Sequence, residues 1–177
     1  MAPSQKNPEA WVECAVSELR EAGSWTGRIH IHKLLAILEL AGAANPPFEF
    51  ELYHYGPYSR ELDTTIAEME FFGQLSHEFP RPGYGPRYEV VDPASRDLDL
   101  PDATAIRKAA RALGDRPSSD LELIATCLWL IKRERVSDKT QVVDRVAKLK
   151  PKYKNDRDRI QQSFDEACKL EAALRSE

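Results

Sequence analysis

The chain has 177 residues, of which 42% are hydrophobic and 31% charged, and its formal net charge at pH 7 is −4. This length suits one compact domain, or one domain with a helical extension. The composition is that of a globular protein and excludes a globally disordered chain. The negative net charge gives no general attraction to phosphate backbones, so duplex binding would require a local basic patch.

The cysteines and the N-terminus indicate an expected location. Cys14, Cys127 and Cys168 are widely spaced and form no CxxC pair, which fits neither a disulfide framework nor a zinc ribbon. We expect Cys127 and Cys168 to be buried, inert thiols on apolar helix faces. The first residues lack the basic and apolar regions of a signal peptide, and every apolar run is far shorter than the roughly 20 residues that span a bilayer. A cytoplasmic protein without a membrane segment is therefore expected.

Two amphipathic helices are predicted at the start of the chain. Asn7-Pro8 can begin the first and Gly23 ends it, whereas the second ends at Gly42. Their apolar stripes are Val12, Ala15, Val16 and Leu19, then Ile31, Leu34, Leu35, Leu38 and Ala41. In the second helix, Lys33 and Glu39 are predicted to face solvent.

An extended segment and a third helix follow the break at Asn45-Pro46-Pro47. Residues Phe48–His54 alternate between apolar and polar, which predicts a short strand, and Gly56-Pro57 predicts a turn. Ser59 is a good N-cap, because its hydroxyl can accept a hydrogen bond from a free backbone N–H of the first turn. The buried stripe of this helix is predicted to be Leu62, Ile66 and Met69.

The remaining pattern predicts a β-hairpin and then only helices. Two short extended runs around a Pro/Gly-rich tip lie between residues 74 and 91, and the polar segment 92–102 is the predicted boundary. Helix, helix and hairpin follow one another as in a winged helix–turn–helix, although the connection between the helices is long. We therefore predict a mostly α, α+β fold. A winged-helix-like core with a small β-hairpin wing (8–95) carries a C-terminal helical subdomain (103–175), packed on it as one compact unit.

Candidate metal and catalytic residues have simpler explanations. His30 and His32 could present two imidazoles to a metal on a strand, but on a helix positions two apart diverge by about 200°. No third ligand completes the set, so polar surface or capping positions are favoured. Ser59 lacks a GxSxG elbow, and an active site would require a pocket lined by His54, Tyr58 and Arg60. We predict no enzymatic activity, no catalytic residue, no metal and no cofactor.

Nucleic-acid binding is the stronger alternative, because the order of elements is that of a winged helix. The outward positions of the helix Ser59–Phe72 carry one arginine against four carboxylates, which phosphates would repel. The hairpin offers Arg81 and Arg87, and a second basic segment runs from Lys148 to Arg159. That segment is interpreted either as a solvated loop or as a docking patch for an acidic protein or a nucleic-acid backbone. The candidate phosphate-binding residues are Arg81, Arg87, Lys150, Lys152 and Lys154.

Several motifs together resemble a bacterial and phage family, the YwgA-like proteins, which are related to the Panacea (SocA-like) domain. The motifs are Lys33-Leu34-Leu35, the segment Phe50–Leu62 with its Tyr-Gly-Pro-Tyr-Ser turn, Phe72-Gly73-Gln74-Leu75, the segment Leu121–Thr126, and Lys150-Pro151-Lys152-Tyr153. The resemblance covers about residues 28 to 175. The Tyr-Gly-Pro-Tyr-Ser turn is its distinctive part.

The resemblance implies a function in protein interaction. Panacea domains are associated with antitoxins that neutralise varied toxins and with an adaptor that delivers a toxin to a protease. We therefore expect a non-enzymatic interaction module of a mobile-element or defence system, such as an antitoxin or proteolytic adaptor. Its expected partner is another protein, for example a toxin or a defence-system component.

Tyr53, Tyr55, Tyr58 and Arg60 are the candidate partner-binding residues, with a core position of the tyrosines as the other interpretation. The alternative function is a winged-helix DNA-binding transcriptional regulator. The oligomeric state stays open.

Overall fold

Helices form most of the structure, a computed structural model that describes residues 7–92 and 100–175. The helices are α1 (Pro8–Glu21), α2 (Arg28–Ala41), α3 (Arg60–Phe71), α4 (Ala103–Leu113), α5 (Ser118–Lys132), α6 (Lys139–Leu149) and α7 (Arg157–Arg175), with a 3₁₀ turn at Pro151–Tyr153. The strands are β1 (Glu51–Tyr53), β2 (Gly56–Tyr58), β3 (Leu75–Glu78) and β4 (Arg87–Val90). The mostly helical α+β class predicted from the sequence is confirmed.

The helix ends follow local rules. The Asn7 side chain accepts hydrogen bonds from the backbone N–H groups of Glu9 and Ala10, so it caps α1 as predicted. Helix α2 ends at Gly42, whose φ of 69° is the left-handed conformation that glycine adopts without strain. The Ser59 hydroxyl accepts from the Leu62 N–H at 3.3 Å and caps α3. These predicted helix ends are confirmed.

Helix α2 is buried on nearly all sides, which the amphipathic pattern did not predict. It packs against α1, α4, α5 and α7 and against strand β2. Lys33, predicted to face solvent, is only 2% exposed, so that prediction was wrong. Its side chain turns inward because α5 and the first hairpin cover this side of α2.

Both β-sheets are two-stranded antiparallel hairpins. In the first, Glu51 pairs with Tyr58 and Tyr53 with Gly56, so the turn lies at His54-Tyr55. The predicted strand Phe48–His54 is therefore shorter, and Gly56-Pro57, predicted as a turn, belongs to the returning strand. The second hairpin pairs Leu75 with Val90 and confirms the strands predicted between residues 74 and 91.

One hydrophobic core draws residues from both halves of the chain, from Trp11 in α1 to Leu174 in α7. Helices α1 and α4 pack together, as do α2 and α5. The predicted boundary at 92–102 falls largely on residues 93–99, outside the described residues. The limits of the two predicted units, 8–95 and 103–175, stay a prediction.

The cysteines differ in exposure. Burial raises the pKa of Cys14 to about 11 and that of Cys127 to about 12, so both thiols stay protonated near neutral pH. Cys168 is exposed, and its predicted burial was wrong. The inward stripe of α7 passes through the neighbouring Ala167, which turns Cys168 outward. Within the described ranges, no helix combines the length and the apolar character that a membrane span requires.

The Ser59 cap provides a test of how α3 begins. Substitution Ser59→Ala leaves the Leu62 N–H without its acceptor and should lower the free energy of unfolding by about 1 kcal/mol. Chemical denaturation measures this change. Thr64→Ala, an exposed position in the same helix, is the control and should change stability by less than about 0.5 kcal/mol. Equal losses for both substitutions would contradict the capping role.

Candidate functional site

The first hairpin, β1–β2, lies directly on α2 and α5. At its tip Gly56 has a φ of 86°, and a Cβ there would be 3.1 Å from Thr126 Oγ1 and 3.3 Å from the Glu122 carbonyl oxygen. Both the positive φ and the close contact favour glycine. Below the tip, the Lys33 ammonium donates a hydrogen bond to the Pro57 carbonyl oxygen at 2.8 Å.

A second lysine binds the hairpin backbone from the C-terminal half. Lys150 is buried and donates to the His54 carbonyl oxygen. Its Nζ also lies 2.9 Å from Glu122 Oε1, and Lys152 Nζ lies 2.9 Å from Glu122 Oε2. The hairpin backbone is thus held by ammonium groups from two distant segments of the chain. We call Lys33, Glu122, Lys150 and Lys152 the lysine cluster.

The lysine cluster has more positive than negative charge, with three lysines around one glutamate. Burial lowers the pKa of Lys33 from 10.5 to about 7; repulsion from Lys150 adds to this, and attraction to Glu122 opposes it. Burial also lowers the pKa of Lys150, against the stabilising contact with Glu122. One carboxylate therefore compensates the buried ammonium groups only in part.

The tyrosines of the hairpin form an exposed aromatic surface. Tyr53 is 48% and Tyr55 62% exposed. Tyr58 is half-buried and stacks on His32, with ring centroids 4.8 Å apart and an interplanar angle of 1°, and Tyr53 lies 5.4 Å from Tyr58. Arg60 is exposed at the start of α3. The four residues proposed from the sequence as partner-binding therefore lie together, and we call them the docking face.

Two cavities meet at this face. The larger, of about 520 Å³, is lined by Arg28, Ile29, His32, Lys33, Tyr53, His54, Tyr55, Tyr58, Arg60 and Asp63. The smaller, of about 340 Å³, is lined by Glu49, Glu51, Tyr53, Tyr58, Arg60 and Glu61. The docking face thus separates a cavity with a lysine in its wall from one with three glutamates.

The two histidines are structural. His32 Nδ1 lies 2.8 Å from the Arg28 carbonyl oxygen and Nε2 3.0 Å from that of Ser59, while burial lowers its pKa. His30 Nε2 contacts the Arg116 carbonyl oxygen at 3.2 Å, and burial lowers its pKa to about 4. The expected surface or capping positions were wrong, because both rings are buried. In the described part of the chain, no group of three candidate ligands could hold a metal ion.

The residues proposed for phosphate binding have varied surroundings. Arg81 and Arg87 lie over the Trp25 ring, 5.6 and 5.9 Å from its centroid. Lys150 is buried in the lysine cluster and Lys152 is paired with Glu122, whereas Lys154 is exposed. Most of the segment 148–159 is exposed, and its two interpretations, a solvated loop and a docking patch, stay predictions.

Sequence reasoning did not identify Lys33, Gly56, Glu122 or Thr126 as site residues. A single lysine inside the apolar run Ile31–Leu38 was the available signal for Lys33. Four of the five segments that carry the family resemblance meet in this cluster, through contacts of Lys33, of the hairpin backbone, of Glu122 and of Lys150. The fifth, Phe72-Gly73-Gln74-Leu75, contributes none of these contacts.

Comparison with known proteins finds a relative that matches most of the chain. The uncharacterized protein YwgA of Bacillus subtilis (strain 168) is 30% identical over 156 residues, which are 83% of this chain and 86% of the relative. No protein-family model matches the chain.

Two glycine substitutions separate the effect of the close contact at the hairpin tip on stability from the effect of the backbone conformation. Gly56 and Gly73 both have a positive φ, but a Cβ at Gly73 would meet nothing within 4 Å. Gly73→Ala should therefore cost only the strain of the left-handed conformation, about 1 kcal/mol. Gly56→Ala adds the displacement of Thr126 and Glu122 and should cost roughly 2–4 kcal/mol in the free energy of unfolding. Equal losses in chemical denaturation would contradict tight packing of the tip.

The lowered pKa of Lys33 predicts a pH dependence of stability. Between about pH 7 and 10.5 the unfolded chain binds this proton and the folded chain does not, so the contribution of Lys33 to stability rises with pH in this window. Lys33→Met removes that contribution, and the stability of the variant relative to the natural protein should fall as the pH rises. Denaturation at pH 7 and pH 9.5 measures the difference. Lys154→Met is the exposed control, and stability curves that stay parallel for Lys33→Met would refute the prediction.

Proposed function

This chain belongs to the YwgA family, and we propose that it is a non-enzymatic protein-interaction module that binds its partner through the docking face. The observation that carries the proposal is the exposure of Tyr53 and Tyr55 on a hairpin whose backbone is fixed by two buried lysines. Tyrosine side chains bury a large area with little loss of conformational entropy, which makes them frequent interface anchors. A hairpin already fixed in position adds little ordering cost on binding.

A second exposed aromatic group supports an interaction function. Phe71 and Phe72 at the end of α3 are 83% and 73% exposed, and Phe79 beyond β3 is also exposed. The rings of Phe71 and Phe72 are in contact, with centroids 5.2 Å apart, and contiguous exposed apolar patches mark interaction sites. On α3 itself, Glu61 and Glu68 are exposed, so the surface of this helix favours a protein partner over a phosphate backbone.

The polar groups near the docking face have structural roles that favour a non-enzymatic function. The Ser59 hydroxyl caps α3, and the ring nitrogens of His32 face backbone carbonyl oxygens. Neither group is arranged as a nucleophile with its base.

The biological context is part of the proposal. The order α2, α3 and the β3–β4 hairpin is that of a winged helix with its wing, and we propose that the core is a variant of that fold related to the Panacea domain. With the family resemblance, this supports an antitoxin or a proteolytic adaptor in a mobile-element or defence system. The partner would then be a toxin or another component of that system.

Substitution of the exposed tyrosines tests the docking face. The double variant Tyr53→Ser/Tyr55→Ser removes two aromatic anchors and should weaken binding to a purified partner at least about tenfold, because each anchor contributes on the order of 1–2 kcal/mol. Affinity capture from the native host, with the natural protein and with the double variant, identifies the partner. Titration calorimetry then gives the dissociation constants of both.

The control is Tyr84→Ser, a tyrosine in the tip of the second hairpin that should leave binding unchanged. A protein that captures no partner but shifts duplex DNA at moderate salt would overturn the proposal. In that event Arg81→Ala/Arg87→Ala should lower the affinity for DNA and reduce its salt dependence.

A further inference from the structure

The larger cavity at the docking face has the size and walls of a small-molecule site. Its volume of about 520 Å³ is within the usual range for sites that hold organic ligands, roughly 300–1,000 Å³. Three tyrosines line it, and the stacked pair of Tyr58 and His32 makes a flat wall. Lys33 and His32 are the buried lining residues, so they form its floor.

Lys33 is a buried cation of this floor, and within the described ranges it forms no ion pair with a carboxylate. Arg28 pairs with Asp63 at 2.8 Å and with Glu70 at 3.4 Å, whereas Glu122 is shared by Lys150 and Lys152. Within the described ranges, Lys33 forms no ion pair and donates one hydrogen bond, to the Pro57 carbonyl oxygen. A protonated amine has three donors, so two remain beyond this hydrogen bond.

The charges around the cavity select a monoanion. Of the three cations that line it, Arg28 is paired with Asp63 and Glu70, and Arg60 is exposed at the edge. In the buried floor the Lys33 ammonium can neutralise one negative charge, and the nearby carboxylates of Asp63 and Glu122 would repel a second. A carboxylate matches this arrangement better than a phosphate dianion, which also costs more to remove from water. The cavity on the other side of Tyr53 and Tyr58 has three glutamates and one arginine in its wall, which disfavours anions on that side of the docking face.

We propose that this cavity binds a small organic monocarboxylate that carries a flat ring, with the carboxylate on Lys33 and the ring between the exposed tyrosines. The ring would contact Tyr53 and Tyr55, which are at the mouth of the cavity and more exposed than Tyr58. All groups of this site belong to this chain, so ligand binding can be measured without a protein partner.

Binding is coupled to the protonation of Lys33. The charged and titratable groups around its amine are Glu122 on α5, Lys150 and Lys152 after α6, Arg28, His30 and His32 on α2, His54 and the tyrosines on the hairpin, and Arg60 and Asp63 on α3. Since the pKa of Lys33 is about 7, the free protein loses the ammonium above that pH. A bound carboxylate favours the charged amine, so affinity is highest below pH 7 and falls as the pH rises.

The test uses phenylacetate and indole-3-acetate as probes, each paired with its amide, which has the same shape and no charge. Titration calorimetry with the purified natural chain should show binding of both acids and at least tenfold weaker binding of the amides. Between pH 6.5 and 8.5 the affinity for the acids should fall roughly twentyfold, in proportion to the protonated fraction of Lys33. Titrations at neutral pH in two buffers of different ionisation enthalpy should show proton uptake.

Variants locate the site. Lys33→Met should abolish the preference for acid over amide, and Tyr55→Ser, an exposed position, should weaken binding of the ring without unfolding the protein. Lys154→Met, outside the cavity, should change nothing. Equal binding of acids and amides, affinity that does not change with pH, or no binding of any probe at millimolar concentration would each overturn the proposal. These outcomes need no partner protein, so they are separate from the test of the docking face.

Discussion

The structure depends on the burial of two lysine side chains whose terminal amines bind the backbone of a short hairpin. Strands of three residues do not form a stable hairpin alone, so the carbonyl groups at its tip need donors from elsewhere. Lys33 and Lys150 supply them, from α2 and from the segment after α6. Removing these ammonium groups from water is costly, and one glutamate offsets that cost only in part. Strand β2 also packs on both α2 and α5, and burial of this contact helps to keep the hairpin in place.

Local rules explain what the sequence predicted correctly, and long-range packing explains the failures. The cap by Asn7, the helix end at Gly42 and the cap by Ser59 depend on residues within a few positions, so they could be predicted. The orientation of Lys33 depends on a carbonyl group 24 residues away, which helical periodicity does not contain. Helix α2 was interpreted as one-sided because its stripe is regular, whereas its burial is set by neighbours that come later in the chain.

The candidate site shows the same contrast between residues that are neighbours in sequence and contacts between distant segments. Tyr53, Tyr55 and Tyr58 could be grouped from the sequence because they are near neighbours in it, and the structure has them at the end of β1, in the turn and at the end of β2. Their function in docking stays a prediction. The lysine cluster beneath it joins α2, α5 and the segment after α6, and no single stretch of sequence shows that they meet. The motifs of the family resemblance included Lys33, Glu122 and Lys150, but a motif alone does not state which residues are in contact. Lys33, Glu122 and Lys150 lie together in the lysine cluster, which gives a physical reason for their presence in the motifs.

The lysine cluster also couples the two proposals. A carboxylate on Lys33 would keep the amine protonated, and a charged donor binds the Pro57 carbonyl oxygen more strongly than a neutral amine does. The ligand would therefore stabilise the hairpin that presents Tyr53 and Tyr55. A partner that binds the docking face selects the same ordered hairpin, so each should raise the affinity of the other by the same factor. If the ligand ring and the partner compete for the same tyrosine surface, each lowers the affinity of the other instead. Measurement of this coupling would distinguish cooperative binding from competition.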